Sequence, residues 1–106
     1  MAKRTRKILN RQVILAELRQ NPDLLRKHAV RTIALFGSYA KDTPTAKSDI
    51  DFLVEFERPT YDNFLGLSKD LERLFGKKVE ILTPDGLDTI RVRSIADSIR
   101  KTLIYA

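Results

Sequence analysis

The sequence predicts an α/β (α+β) fold in which a small mixed central sheet is flanked by helices. Three observations carry this expectation. Compact apolar runs of strand length recur at 30–36, 50–56 and 78–82. Segments with helical apolar spacing precede, separate and follow them. Pro or Gly stands at the junctions, at Pro22, Gly37, Pro44, Pro59, Gly76, Pro84 and Gly86.

Taken in order, residues 10–20 carry Val13, Ile14, Leu15 and Leu18 on one amphipathic helix. Asn21-Pro22 interrupts it, with Asn as N-cap and Pro as first helical residue of a short helix through 23–27. The run 30–36, with Arg31 and Thr32 interleaved, reads as a strand that stops at Gly37-Ser38. A turn and a new helix start are expected there. Thr43-Pro44-Thr45 is a loop. From Asp49 the chain alternates, with Ile50, Phe52, Val54 and Phe56 on one face and Asp49, Asp51, Glu55 and Glu57 on the other. That is a strand with one buried face. Pro59-Thr60 ends it and caps a helix through about Phe75, with Phe64, Leu67, Leu71, Leu74 and Phe75 as its apolar stripe and Gly76 as its stop. In 78–82 a third strand turns Val79 and Ile81 inward and Glu80 outward. Pro84-Asp85-Gly86 leads into a final helix, where Ile95, Ile99 and Leu103 recur every four residues.

The 106 residues suffice for one core, and no repeat or linker divides them. The expected organisation is a basic tail over 1–11 and a single domain over 12–106. No apolar run approaches the roughly 18 residues of a membrane span, and no apolar signal segment follows the basic start. With no cysteine, disulfides and thiolate metal sites are excluded. The cytoplasm is the expected compartment, without a membrane partner. A net charge of +6 invites a nucleic-acid reading. Its distribution argues otherwise: Lys3, Arg4, Arg6, Lys7 and Arg11 precede the first acid, Glu17, and the remaining 15 basic and 14 acidic residues nearly balance. Nucleic acid is therefore not expected as a specific ligand.

The chemistry concentrates at two places. Asp49 and Asp51 lie two apart on a strand, so their side chains share a face. Side-by-side carboxylates repel, and a fold tolerates them when a cation lies between. Carboxylate oxygens are hard ligands suited to Mg²⁺ or Mn²⁺. Read alone, an Asp-x-Asp on an exposed strand face is unremarkable. Gly37-Ser38 alters that reading: a Gly at a strand end lets backbone amides approach a ligand, and Ser38 opens a helical turn that favours anions. A phosphate-holding turn beside a metal-holding strand suits phosphoryl-type transfer, which needs positioning and charge neutralisation above all. Glu80 is the candidate third carboxylate.

These residues resemble the minimal nucleotidyltransferases of the DNA polymerase beta superfamily. The resemblance rests on Leu35-Phe36-Gly37-Ser38-Tyr39-Ala40-Lys41, on the ten residues separating Ser38 from Asp49, and on Ser48-Asp49-Ile50-Asp51-Phe52-Leu53-Val54, with an acid between apolar residues at Glu80. It implies the nucleotidyltransferase fold and ATP as substrate. Gly37, Ser38, Lys41, Ser48 and Asp49 fall on nucleotide-binding positions. Asp49, Asp51 and Glu80 fall on the catalytic, metal-ligating positions. The chain departs from the family where Arg-Gly often follows the Ala and it has Lys41-Asp42, and where the third acid is Glu rather than Asp. Lys41 meets a phosphate as a point charge, without bidentate geometry.

Small free-standing members of this family are commonly encoded beside a helical HEPN-domain toxin and act as its antitoxin, some by transferring AMP to a toxin tyrosine. The resemblance therefore implies a protein adenylyltransferase with a HEPN-type partner, the acceptor being presented by another molecule or by a second subunit of a homo-oligomer. The alternative is a binding module that neutralises its partner by covering it, the nucleotide site being vestigial or regulatory. Transfer to a small-molecule hydroxyl ranks below both. Other residues read as ordinary: His28 as a surface or capping residue, Tyr39 as packing or a base-stacking ring, Glu55 and Glu57 as solvated. Arg91, Arg93, Arg100 and Lys101 read as a charged helix face.

Overall fold

The computed structural model describes residues 9–106, so the expected basic tail lies, through residue 8, outside the described residues. Helix α1 (Arg11–Arg19) starts where the Asn10 side chain accepts the Val13 N–H at 2.9 Å, and it buries Ile14, Leu15 and Leu18. Helix α2 (Pro22–Lys27) starts on its proline, but Asn21 makes no side-chain cap. Its amide donates instead to the Glu17 carbonyl at 2.7 Å, which ties α2 to α1. Strand β1 (Val30–Phe36) runs into the single-turn helix α3 (Gly37–Ala40), and strand β2 (Ile50–Phe56) follows a loop.

Helix α4 (Tyr61–Phe75) is capped at both ends: the Thr60 hydroxyl accepts the Asn63 N–H, and Gly76 takes the left-handed conformation at φ 66°. Strand β3 (Val79–Leu82), helices α5 (Pro84–Asp88) and α6 (Arg93–Thr102), and strand β4 (Ile104–Tyr105) complete the chain.

The sheet is mixed, in the order β3-β2-β1-β4. Strand β1 pairs antiparallel with β2 and β4, and β2 pairs parallel with β3. On one face, Ile33, Leu35, Ile50, Phe52, Val54 and Phe56 pack against α1, α3 and α4 in the main core. Among the described residues the eight largest fully buried side chains, Phe52 among them, all belong to this cluster.

The other face departs from the expectation of a solvated strand face. Leu53 and Ala34 are buried there beneath Leu87 of α5 and Ala96 of α6. Alternation along β2 marks Leu53 as apolar but does not show that a second helical layer covers it. The final helix differs as well. It stops at Thr102, Leu103 is extended, and Ile104–Tyr105 adds an edge strand to β1. Ile95 is 51% exposed, and the inward line is buried Ala96 with partly buried Ile99 and Leu103. A strict repeat of four drifts off a 3.6-residue helix, so spacing of three and four holds the face. His28, read as a surface or capping residue, is the C-cap of α2 but is buried, its ring bonded to Asp70 of α4 at 2.7 Å. Among the described residues no helix is long and apolar enough to cross a membrane.

Candidate active site

Topology assembles the site at one end of the sheet. Because β1 and β2 are antiparallel, β1 ends where β2 begins, and Phe36 pairs with Asp51. Because β3 runs parallel to β2, Glu80 pairs with Asp51 on the other side. Paired residues in a sheet project to the same face. Gly37, Asp51 and Glu80 thus come from three consecutive strands of one sheet end, with Asp49 entering β2 beside them.

Gly37 is fixed by two requirements. Its φ of +79° is a left-handed conformation that side chains disfavour, and a Cβ there would run into the Asp51 carboxylate, 3.1 Å from its Cγ. The turn and the carboxylate therefore touch. Ser38 lies half-buried in α3, its carbonyl accepting the Thr43 N–H at 2.9 Å, while Tyr39 is buried in the core and not free to stack on a base. Lys41 caps α3 and is exposed. Asp42, an apparent liability beside phosphates, has φ +66°. It occupies the left-handed turn where the family pattern has glycine, and Asp is among the few other residues that adopt it readily. Ser48 braces the loop ahead of Asp49, its hydroxyl accepting the Thr45 N–H at 2.9 Å. Among the described residues the Ser48 hydroxyl hydrogen-bonds Thr45 alone.

The electrostatics are those of an uncompensated acidic site. Burial pushes the Asp51 carboxyl up to about 6, helped by the charges of Glu80 and Asp49. Among the described residues no Lys or Arg pairs with any of the three acids. Nor do three His, Cys, Asp or Glu side chains converge there as a ready-made metal cage. Mg²⁺ is usually held by one or two carboxylates with waters and substrate phosphates, so an incomplete acidic set fits it. Glu55 is half-buried and Glu57 exposed, farther along β2.

The model of the nucleotidyltransferase domain family matches residues 4–104. The chain belongs to this family. This nucleotidyltransferase is 39% identical over 92 residues to a candidate protein adenylyltransferase of Methanocaldococcus jannaschii, covering 83% of this chain and 89% of that one. It is 32% identical over 84 residues to the protein adenylyltransferase MntA of Thermococcus cleftensis, covering 78% and 81%. Its fold matches a solved candidate minimal nucleotidyltransferase with a TM-score of 0.71 at 24% identity, over 93% of this chain and 98% of that one. It also matches a toxin–antitoxin complex with AMP-PNP with a TM-score of 0.60 at 21% identity, over 82% and 69%.

Sequence reasoning missed two features of this nucleotidyltransferase site. The conformational role of Asp42 was legible only as an Asp standing where Gly is usual. The approach of α6 to Gly37 had no signal beyond Ser94 and Ser98, four residues apart on one helix face.

Proposed function

We propose that this nucleotidyltransferase transfers AMP from ATP to a hydroxyl of a partner protein, a tyrosine of a HEPN-type toxin, and acts as its antitoxin. The observation that carries the reading is the contact of Gly37 with Asp51 and the register of Asp51 with Glu80. It joins a phosphate-binding turn to acids that lack a protein cation. The 39% identity to a candidate protein adenylyltransferase supports AMP as the transferred group and a protein as acceptor.

In this reading the Gly37-Ser38 turn and Lys41 hold the phosphates of ATP, and Asp49 and Asp51 hold Mg²⁺ or Mn²⁺ together with those phosphates. When bound, the metal neutralises charge on the transferring phosphorus and eases deprotonation of the acceptor. Exposed Glu80, beside Asp51, takes the proton of the acceptor hydroxyl. The acceptor oxygen bonds to the α-phosphorus as the bond to the bridging oxygen breaks, and pyrophosphate leaves with that electron pair. Only a glycine at 37 lets the turn close on Asp51, so the α-phosphate lies within reach of the carboxylates.

Incubation of the protein and a HEPN-domain acceptor with α-labelled or γ-labelled ATP tests the reading. Label from the α position alone is expected on the acceptor. Label from the γ position, or from neither, contradicts AMP transfer.

A further inference from the structure

Strand β3 is an edge of the sheet, and Glu80 lies on it. The Ile50 N–H donates to the Lys78 carbonyl at 3.1 Å, which sets the parity of the ladder. Glu80 and Leu82 therefore turn their backbone groups to β2, while Val79 and Ile81 turn theirs outward. One outward group is already used: the Val79 N–H donates to the Glu72 carboxylate at 3.0 Å. Among the described residues nothing bonds to the Val79 carbonyl, the Ile81 N–H or the Ile81 carbonyl. Lys78 and Glu80 are exposed, and the Lys78 ammonium has no acid partner among the described residues. Unpaired backbone groups on an edge are a template for a further strand. The edge is only four residues long and has a lysine before it, which restricts it to a short segment of opposite charge.

We propose that the β3 edge docks the acceptor: an extended, acidic segment of the partner protein adds antiparallel to β3 and sets its hydroxyl residue opposite Glu80. The inference rests on the reading of the site as one for AMP transfer to a protein, and it adds how that protein is held. Glu80 spends its backbone groups on β2, so the residue opposite it forms a non-hydrogen-bonded pair, with Cα atoms about 4.5 Å apart. Residues paired across a sheet project to one face. The acceptor side chain therefore stands on the face that carries Glu80 and Asp51, with its hydroxyl beside the Glu80 carboxylate. Backbone bonds to Val79 and Ile81 give affinity with little demand on sequence, and Lys78 selects an acidic segment. The acceptor residue lies in a loop or tail of its protein, because the amides of a helix are already bonded to one another.

The test is amide hydrogen exchange of the whole protein, read residue by residue by NMR, with and without a HEPN-domain acceptor. The Ile81 amide should exchange freely in the protein alone and slow about tenfold or more in the complex. The Glu80 amide, already in the ladder, should change far less. Ile81→Pro removes the outward donor and leaves the bonds to β2 in place, as an edge strand allows. It should raise the KM for the acceptor about fivefold, the scale of one lost hydrogen bond, with Mg-ATP affinity within about twofold of wild type. Ile81→Val keeps the donor and should keep the KM. An Ile81 amide that exchanges equally fast in both states, a folded Ile81→Pro variant with unchanged KM, or no binding of the acceptor would overturn the docking edge. If Ile81→Pro does not fold, the exchange measurement on the wild type decides alone. Protection of Ile81 without transfer of α-label keeps the docking edge and removes AMP transfer. Transfer of α-label without protection of Ile81 removes only the docking edge.

Discussion

Asp51 and Asp70 are carboxylates on opposite sides of one small core, and their surroundings drive them in opposite directions. Asp51 is half-buried among Glu80 and Asp49, and burial first, then those charges, raises its carboxyl to about 6. Asp70, on α4, accepts from the His28 ring at 2.7 Å, with Lys27 and Arg73 at 3.4 and 3.2 Å. The hydrogen bond from His28 outweighs burial and holds its carboxyl below the usual range. Asp70 has its partners within the protein and fastens α2 to α4. Asp51 has no such partner among the described residues, and in the proposed reading a divalent cation would supply the missing positive charge. A carboxylate that the protein compensates reads as structure, and one it leaves uncompensated beside the Gly37-Ser38 turn is a candidate for chemistry.

The contrast can be broken at either residue. Asp51→Asn should lower AMP transfer on the order of a thousandfold, the scale for removing a principal electrostatic group from a transition state. The same change should leave the protein folded by circular dichroism. Asp70→Ala should do the reverse. It strands a buried histidine ring and costs about 1–3 kcal/mol in urea unfolding, as leaving a buried polar group without its partner does. AMP transfer measured well below the melting temperature should stay within about twofold of wild type, since no bond to the site is lost.

Titration sharpens the same contrast. Folded Asp51 keeps its proton to about 6, above the range in which an unfolded Asp releases it. Its contribution to stability is thus full below about pH 4 and is lost as pH rises through about 6. Asp70 behaves oppositely: its contribution is present above the ordinary carboxylate range and is lost as pH falls through its lowered value. Asp51→Asn should therefore match wild type in stability near pH 4. By pH 7 it should exceed wild type by about 1–2 kcal/mol, a figure reduced for solvent screening at a half-buried group. Equal stability at both pH values would show that Asp51 is not strained by its neighbours. The smallest effect is at the turn: Asp42→Gly should raise stability by about 0.5 kcal/mol by relieving its positive φ, read as a small rise in Tm.

Much of this was legible in the sequence, because local rules and global fold agree at most elements. Thr60 and Gly76 bound α4 at both ends, and the alternation at 50–56 identifies the face that forms the main core. The Gly37-Ser38 and Asp49/Asp51 spacing marks the candidate site, and the fold brings Gly37 against Asp51. What escaped depends on contacts distant in sequence. Leu53 is buried only because α5 and α6 cross above it, and His28 only because Gly66 leaves room for its ring: a Cβ there would lie 2.7 Å from the His28 Cε1. Strand β4 has two residues, too short for any periodicity to register. The pairing of Glu80 with Asp51 required the parallel register of β3, which the sequence leaves open.

The most direct measurement of the central claim is the intact mass of a HEPN-domain partner after incubation with ATP, Mg²⁺ and either the wild type or Asp51→Asn. One or more AMP additions are expected with the wild type and none with Asp51→Asn. An unmodified partner with the wild type, or equal modification by both proteins, would contradict it.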